Sequence, residues 1–149
     1  MRALLHWMTC MILLLSVSVL QAQSQLTIHA ASATPVEGWE RMQVEHSDRV
    51  IWVSPAVAIS ASDIEQATPA LTRPEGFRSI LITFTDAGAK KARDLSIAQR
   101  DKLVALVVDN RVVWAPTVTA EIAKESVLTG NGPTGLTQEE VERIMSILR

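Results

Sequence analysis

His46, Ser47 and Asp48 are the residue types of a hydrolytic triad, in which a hydroxyl attacks while an imidazole, held by a carboxylate, takes its proton. Triad members come from separate elements, and consecutive side chains diverge, so the run reads as a polar turn before a strand. A small secreted hydrolase using His46 is the alternative reading; the preferred one assigns no catalytic residue. The only cysteine, Cys10, sits in an apolar N-terminal run, so the rest of the chain offers no disulfide, thiol nucleophile or thiolate metal site. Beyond that run only His29 and His46 are histidines, one of them beside an expected linker, and neither a metal site nor a cofactor is expected. The pairs Glu37 and Glu40, Asp63 and Glu65, and Glu139 and Glu140 read as solvated faces and helix starts. Gly130, Gly132 and Gly135 lack the strand-to-helix setting, Lys and Ser/Thr of a phosphate cradle, and Pro133 removes a donor; they read as a flexible loop.

The composition narrows the classes further. The 149 residues carry a formal charge of -2 from scattered signs, without the basic stripe that neutralises phosphates, so nucleic acid is not an expected partner. A charged fraction of 20% and a hydrophobic fraction of 48% are those of a globular chain, the latter raised by the N-terminus. Met1 and Arg2 precede an apolar run from Ala3 to Leu20, and Ala22 offers a small residue for cleavage before Gln23. Residues 1–22 therefore read as a secretory signal, with an uncleaved membrane anchor as the competing reading, since the run approaches spanning length. Residues 23–35, ending in Ala30-Ala31-Ser32-Ala33-Thr34-Pro35, read as a linker with a short strand possible at Leu26-Thr27-Ile28. Residues 36–149 form one domain.

Within that domain the elements alternate. Arg49 to Val53 is a β-branched and aromatic strand stopped by Pro55. Ser60 or Ser62 caps an expected helix from Ala61 to Ala67, and Thr68 to Gly76, with Pro69 and Pro74, reads as a loop. Ser79 to Phe84 is an apolar run of strand length. Thr85 caps a helix whose apolar face is Ala89, Ala92 and Leu95; Gly88 in its first turn marks either a close approach or a tolerated surface glycine. Leu103 to Val108 and Arg111 to Trp114 flank Asp109-Asn110, residues that accept the left-handed backbone of a two-residue hairpin turn. Pro116 ends donation to a ladder. Thr137 and Glu140 form a capping box before the stripe Val141, Ile144, Met145 and Leu148. Together these describe an α+β domain, a mixed or mainly antiparallel sheet with helices packed on one face as a two-layer, ferredoxin-like sandwich.

Four segments recur in a fixed order over Ser79 to Leu148: Phe84-Thr85-Asp86-Ala87-Gly88-Ala89; Val108-Asp109-Asn110-Arg111-Val112-Val113-Trp114-Ala115-Pro116; Val127-Leu128-Thr129-Gly130; and Thr137-Gln138-Glu139-Glu140. Their order resembles the head of the first periplasmic domain of SecD, a subunit of the bacterial protein-export machinery; Val36 to Ala67 matches more loosely. The resemblance implies that fold, a periplasmic or envelope address and a role in protein translocation. It departs in the inserted run Asn131 to Gly135 and in the absence of the family's membrane helices after Arg149, where its coupling to the proton gradient resides. The implied function is a non-catalytic, exported binding domain whose partner is an extended polypeptide or an envelope protein, Sec translocase components among them. Any membrane contact would run through an uncleaved N-terminal segment. The candidate binding residues are Trp114, Ala115 and Pro116 at the end of a strand and Gly130, Gly132 and Gly135 in the loop, places where main-chain groups are expected to be open. Trp52 and Trp114 read as core or rim of the strands, and any two of Trp39, Trp52 and Trp114 that share an exposed face would add an apolar contact surface.

Overall fold

The structure, a computed structural model, describes residues 23–72 and 76–149. The expected signal or anchor, residues 1–22, lies outside them. Nine strands and two helices follow in the order β1 (Leu26–Ser32), β2 (Glu40–Gln43), β3 (Val50–Val53), β4 (Ile59–Ser60), a 3-10 turn (Ala61–Asp63), β5 (Ile64–Thr72), β6 (Phe77–Phe84), α1 (Asp86–Ala98), β7 (Leu103–Val108), β8 (Arg111–Trp114), β9 (Glu125–Thr129) and α2 (Gln138–Leu148). The α+β class and the antiparallel pairing are as the sequence implies. The strands divide between two sheets: β2-β3-β1-β7-β8, with β4 also pairing β1, and β5-β6-β9.

The segment expected to be a linker is the centre of the first sheet. β1 pairs β7 over six positions, from Leu26 with Val108 to Ala31 with Leu103, and also pairs β3 and β4. Leu26 and Ile28 point into one apolar core and Ala31 into another, so the strand is covered on both faces. β7, LVALVV, is buried throughout for the same reason. The sheet also curls. Beyond β2, Val44 bridges Val112 of β8, and the Glu45 N–H donates to the Val112 carbonyl at 2.8 Å, so the two ends of the strand order meet around Val44, Ile51, Ala105 and Val112.

The larger core lies between the sheets, where Ile80, Ile82 and Phe84 of β6 face Leu26, Val104 and Leu106, and both helices add to it through Ala92, Leu95, Val141 and Ile144. Two local expectations are corrected. The helix expected over Ala61 to Ala67 is only a three-residue 3-10 turn, after which the backbone extends into β5. The loop expected from Thr68 is the second half of β5, with Thr68 opposite Leu81 and Pro69 opposite Ile80. β5 is an edge strand, where a proline without an N–H is tolerated.

The remaining signals fold as read. Asp109 and Asn110 have φ of 50° and 64° and join β7 to β8 as a two-residue turn. The Thr137 hydroxyl accepts the Glu140 N–H at 3.1 Å, and Glu140 Oε2 accepts the Thr137 N–H at 2.7 Å. Gly88 marks a close approach: a Cβ there would lie 2.2 Å from the Asp63 carbonyl oxygen, whose other contact is the Thr85 N–H at 2.9 Å. Among the described residues no helix is long and apolar enough to cross a membrane.

Candidate functional site

Two places have the makings of a site, and they are chemically opposite. The first is an apolar cavity of about 330 Å³ where the sheets diverge, lined by Phe84, Trp114, Pro116, Val118, Ile122 and Val127 among others. A β-bulge positions Trp114. Leu106 pairs Trp114 while Val107 pairs Val112, so Val113 is the extra residue of β8. Val113 and Trp114 then both meet the larger core, although they are consecutive. On the far side of the cavity runs β9, whose only strand partner among the described residues is β6 and whose Val127 is 42% exposed.

The candidate binding residues separate when placed on this frame. Trp114 and Pro116 are half-buried and line the cavity, whereas Ala115 is buried in the smaller core. The chain past Trp114 is not an open edge: the Pro116 carbonyl accepts the Val104 N–H at 3.1 Å, Val118 exchanges bonds with Lys102 and Asp101, and Arg49 Nη1 donates to the Ala115 carbonyl at 3.3 Å. The glycine loop is tied down as well. Arg78 N–H donates to the Thr134 carbonyl, Leu136 N–H donates to the Arg78 carbonyl, and the Asn131 side chain reaches across to the Val113 carbonyl at 2.8 Å. Gly135, with φ of 81°, would place a Cβ 2.3 Å from the Arg78 oxygen, and Gly130 and Gly132 would each place one 2.9 Å from the Gly135 oxygen. These glycines let a compact turn press against β6. Trp52 is half-buried in β3, and of the two strand tryptophans only Trp114 lines the cavity.

The second place is polar. His46 sits in the turn between β2 and β3 with φ of 54°, a left-handed conformation. It does not meet Ser47: the Ser47 hydroxyl accepts the Arg49 N–H at 3.0 Å, and His46 Nε2 faces Glu140 Oε1 at 3.3 Å. The consecutive triad residues thus do not converge. Glu45 stands beside this pair, so that one ligand atom from each of Glu45, His46 and Glu140 lies within 4.8 Å of the others. No local pattern announces the cluster, because Glu140 is 94 positions downstream of His46 and is already explained by its cap.

Asp63 and Glu140, read as acids of solvated faces or helix starts, are buried. Burial works to raise the Asp63 pKa, but the Lys91 ammonium at 2.8 Å and the Ser60 N–H at 2.9 Å outweigh it and hold the carboxyl below its ordinary value. On the surface, a hydrogen bond and charge attraction from Lys124 lower the exposed Asp86 carboxyl in the same direction.

A family model, the SecDF P1 head subdomain, matches residues 39–149. Over 93 residues the chain is 29% identical to the protein translocase subunit SecD of Elusimicrobium minutum (strain Pei191), a match that covers 62% of this chain and 19% of that protein. The chain therefore spans about a fifth of the length of this relative. Two solved structures share the fold. One is SecDF in its super-membrane-facing form, at a TM-score of 0.64 and 22% identity, over 85% of this chain and 18% of that one. The other is SecDF described as a membrane component that enhances protein export, at a TM-score of 0.63 and 21% identity, over 85% of this chain and 62% of that one. The resemblance carried by the motifs after Ser79 thus extends across the domain as far back as Trp39, and the chain belongs to the SecDF P1 head subdomain family.

Proposed function

We propose that this protein is a non-catalytic binding domain of protein export, working in the periplasm or cell envelope as an accessory of the Sec translocase. Its cargo is an extended polypeptide or an unfolded stretch of an envelope protein. The observation that carries this reading is the apolar cavity beside an edge of β9 that no other described strand pairs. An incoming strand alongside β9 would gain main-chain hydrogen bonds, while its alternate side chains enter the space lined by Trp114, Pro116, Ile122 and Val127. The binding face thereby moves from the end of β8 and the glycine loop, whose main-chain groups are largely engaged, to the cavity between β8 and β9. Family membership supports the export setting; the translocation role of its much longer relatives comes to this chain as part of the proposal.

The test uses the purified full chain and a fluorescently labelled, reduced and carboxymethylated polypeptide, read by anisotropy. Trp114→Ala and Val127→Asp should each weaken binding at least tenfold, consistent with loss of a buried aromatic anchor, while Val57→Asp, at an exposed residue away from the cavity, should not. Equal affinity in all three would place the binding face elsewhere. Cross-linked capture from cells, with mass spectrometry, would then find export-channel subunits or nascent exported chains with the unaltered protein and lose them with Trp114→Ala.

A further inference from the structure

We infer that Glu45, His46 and Glu140 form a binding site for one divalent transition-metal ion of the zinc type. Three observations converge on the ligand set. The Glu140 side chain is 7% exposed, and its Oε1 is fully buried without a hydrogen-bond partner among the described residues. A carboxylate oxygen in that position is costly unless a cation satisfies it. The other oxygen, Oε2, is fixed by the Thr137 N–H at 2.7 Å, so Oε1 is held in place, aimed at His46, by the kind of outer hydrogen bond that orients metal ligands.

The distance between two of the three ligand atoms already suits a small ion. His46 Nε2 lies 3.3 Å from Glu140 Oε1, without a hydrogen bond between them, and a tetrahedral ion with bonds of about 2.0–2.1 Å separates its ligand atoms by about 3.3–3.4 Å. The Glu45 carboxylate stands within 4.8 Å of the other two and would close on a bound ion by a side-chain rotation, while its main chain is anchored by the bond from its N–H to the Val112 carbonyl. Arg111 Nη1 stands 3.3 Å from Glu45 Oε1 and is the charge a metal would displace. One imidazole with two carboxylates favours zinc, cobalt or nickel over calcium and magnesium, which take all-oxygen shells. Three protein ligands leave a fourth position for water or for a donor from a partner. With His46 53% exposed, that position faces solvent.

The site joins the turn between β2 and β3 to the first turn of α2, so occupancy would cross-link the curled sheet to the helix. Zinc chloride titrated calorimetrically into the tag-free full chain at neutral pH should show saturable uptake, and cobalt should give a visible ligand-field band. His46→Asn, which keeps a residue that accepts positive φ, and Glu140→Gln, which keeps the cap, should each weaken zinc binding at least tenfold and abolish the band. Their thermal midpoints in chelator should stay within a few degrees of the parent. Because His6 and Cys10 are present in the full chain, the variants and not stoichiometry alone carry the assignment. Three results would overturn it: no saturable zinc uptake, uptake unchanged by His46→Asn, or calcium binding as tightly as zinc. The first would leave His46 as a simple charge partner of Glu140.

Discussion

The two helices begin alike and differ in one carboxylate. Each opens on a threonine cap, Thr85 for α1 and Thr137 for α2, and beside each lies a buried acid. At α1, both oxygens of Asp63 are engaged: Oδ1 by Lys91, and Oδ2 by Lys91 and the Ser60 N–H. At α2, Glu140 has one oxygen spent on the cap and one left over. Asp63 therefore has the character of a structural clamp, complete within the fold, and Glu140 that of a ligand waiting for a cation. A buried charge with every bond made stabilises only in place, whereas one with a bond unmade marks where something can be added.

The largest effect should come from Gly88→Ala, which drives a Cβ against the Asp63 carbonyl between two stretches of backbone; urea unfolding should show a loss of about 3 kcal/mol. Lys91→Ala should cost about 1–2 kcal/mol, less than a fully buried pair because the lysine is half exposed. Acid unfolding sharpens the same point. The folded Asp63 pKa lies below the ordinary 3.8, so the unfolded chain binds this proton more readily. The clamp's stabilisation is complete above about pH 4 and is lost as pH falls through the folded value, and Lys91→Ala should flatten that part of the stability profile. Thr137→Ala should cost about 1 kcal/mol, a typical cap. The acids themselves give the decisive contrast in chelator: Asp63→Asn should destabilise by about 1–2 kcal/mol, whereas Glu140→Gln should stay within about 0.5 kcal/mol, since it removes an unmatched charge and keeps the cap. Equal losses at the two positions would erase the distinction.

Legibility in the sequence followed the range of the interaction. The Asp109-Asn110 turn and the Thr137 box rest on contacts a few residues apart, and β6, though its partners are distant, shows itself as an unbroken apolar run; all three form as read. The second half of β1 was hidden because Ala30, Ala31 and Ser32 have the composition of a linker; only Leu26-Thr27-Ile28 showed as a short strand. The second half of β5 was hidden by Pro69, whose harmlessness depends on the strand being at an edge. Ser60 and Asp63 do make a cap, but it serves a single 3-10 turn, since Ile64 onward is claimed by pairing with β6. The cavity depends on a one-residue bulge at Val113, and the Glu45, His46 and Glu140 cluster joins residues 94 positions apart, for which no local pattern exists.

The pairing of β1 with β7 sets the order of events when the chain first emerges from any channel, amino end leading. Thr27 finds its partner only when Val107 has followed it out, and neither apolar core can close before then. Closing so long a loop costs entropy that early contacts do not repay. Both apolar cores therefore stay incomplete until β7 is available, although the local pairs β2-β3 and β5-β6 need no residue beyond Phe84.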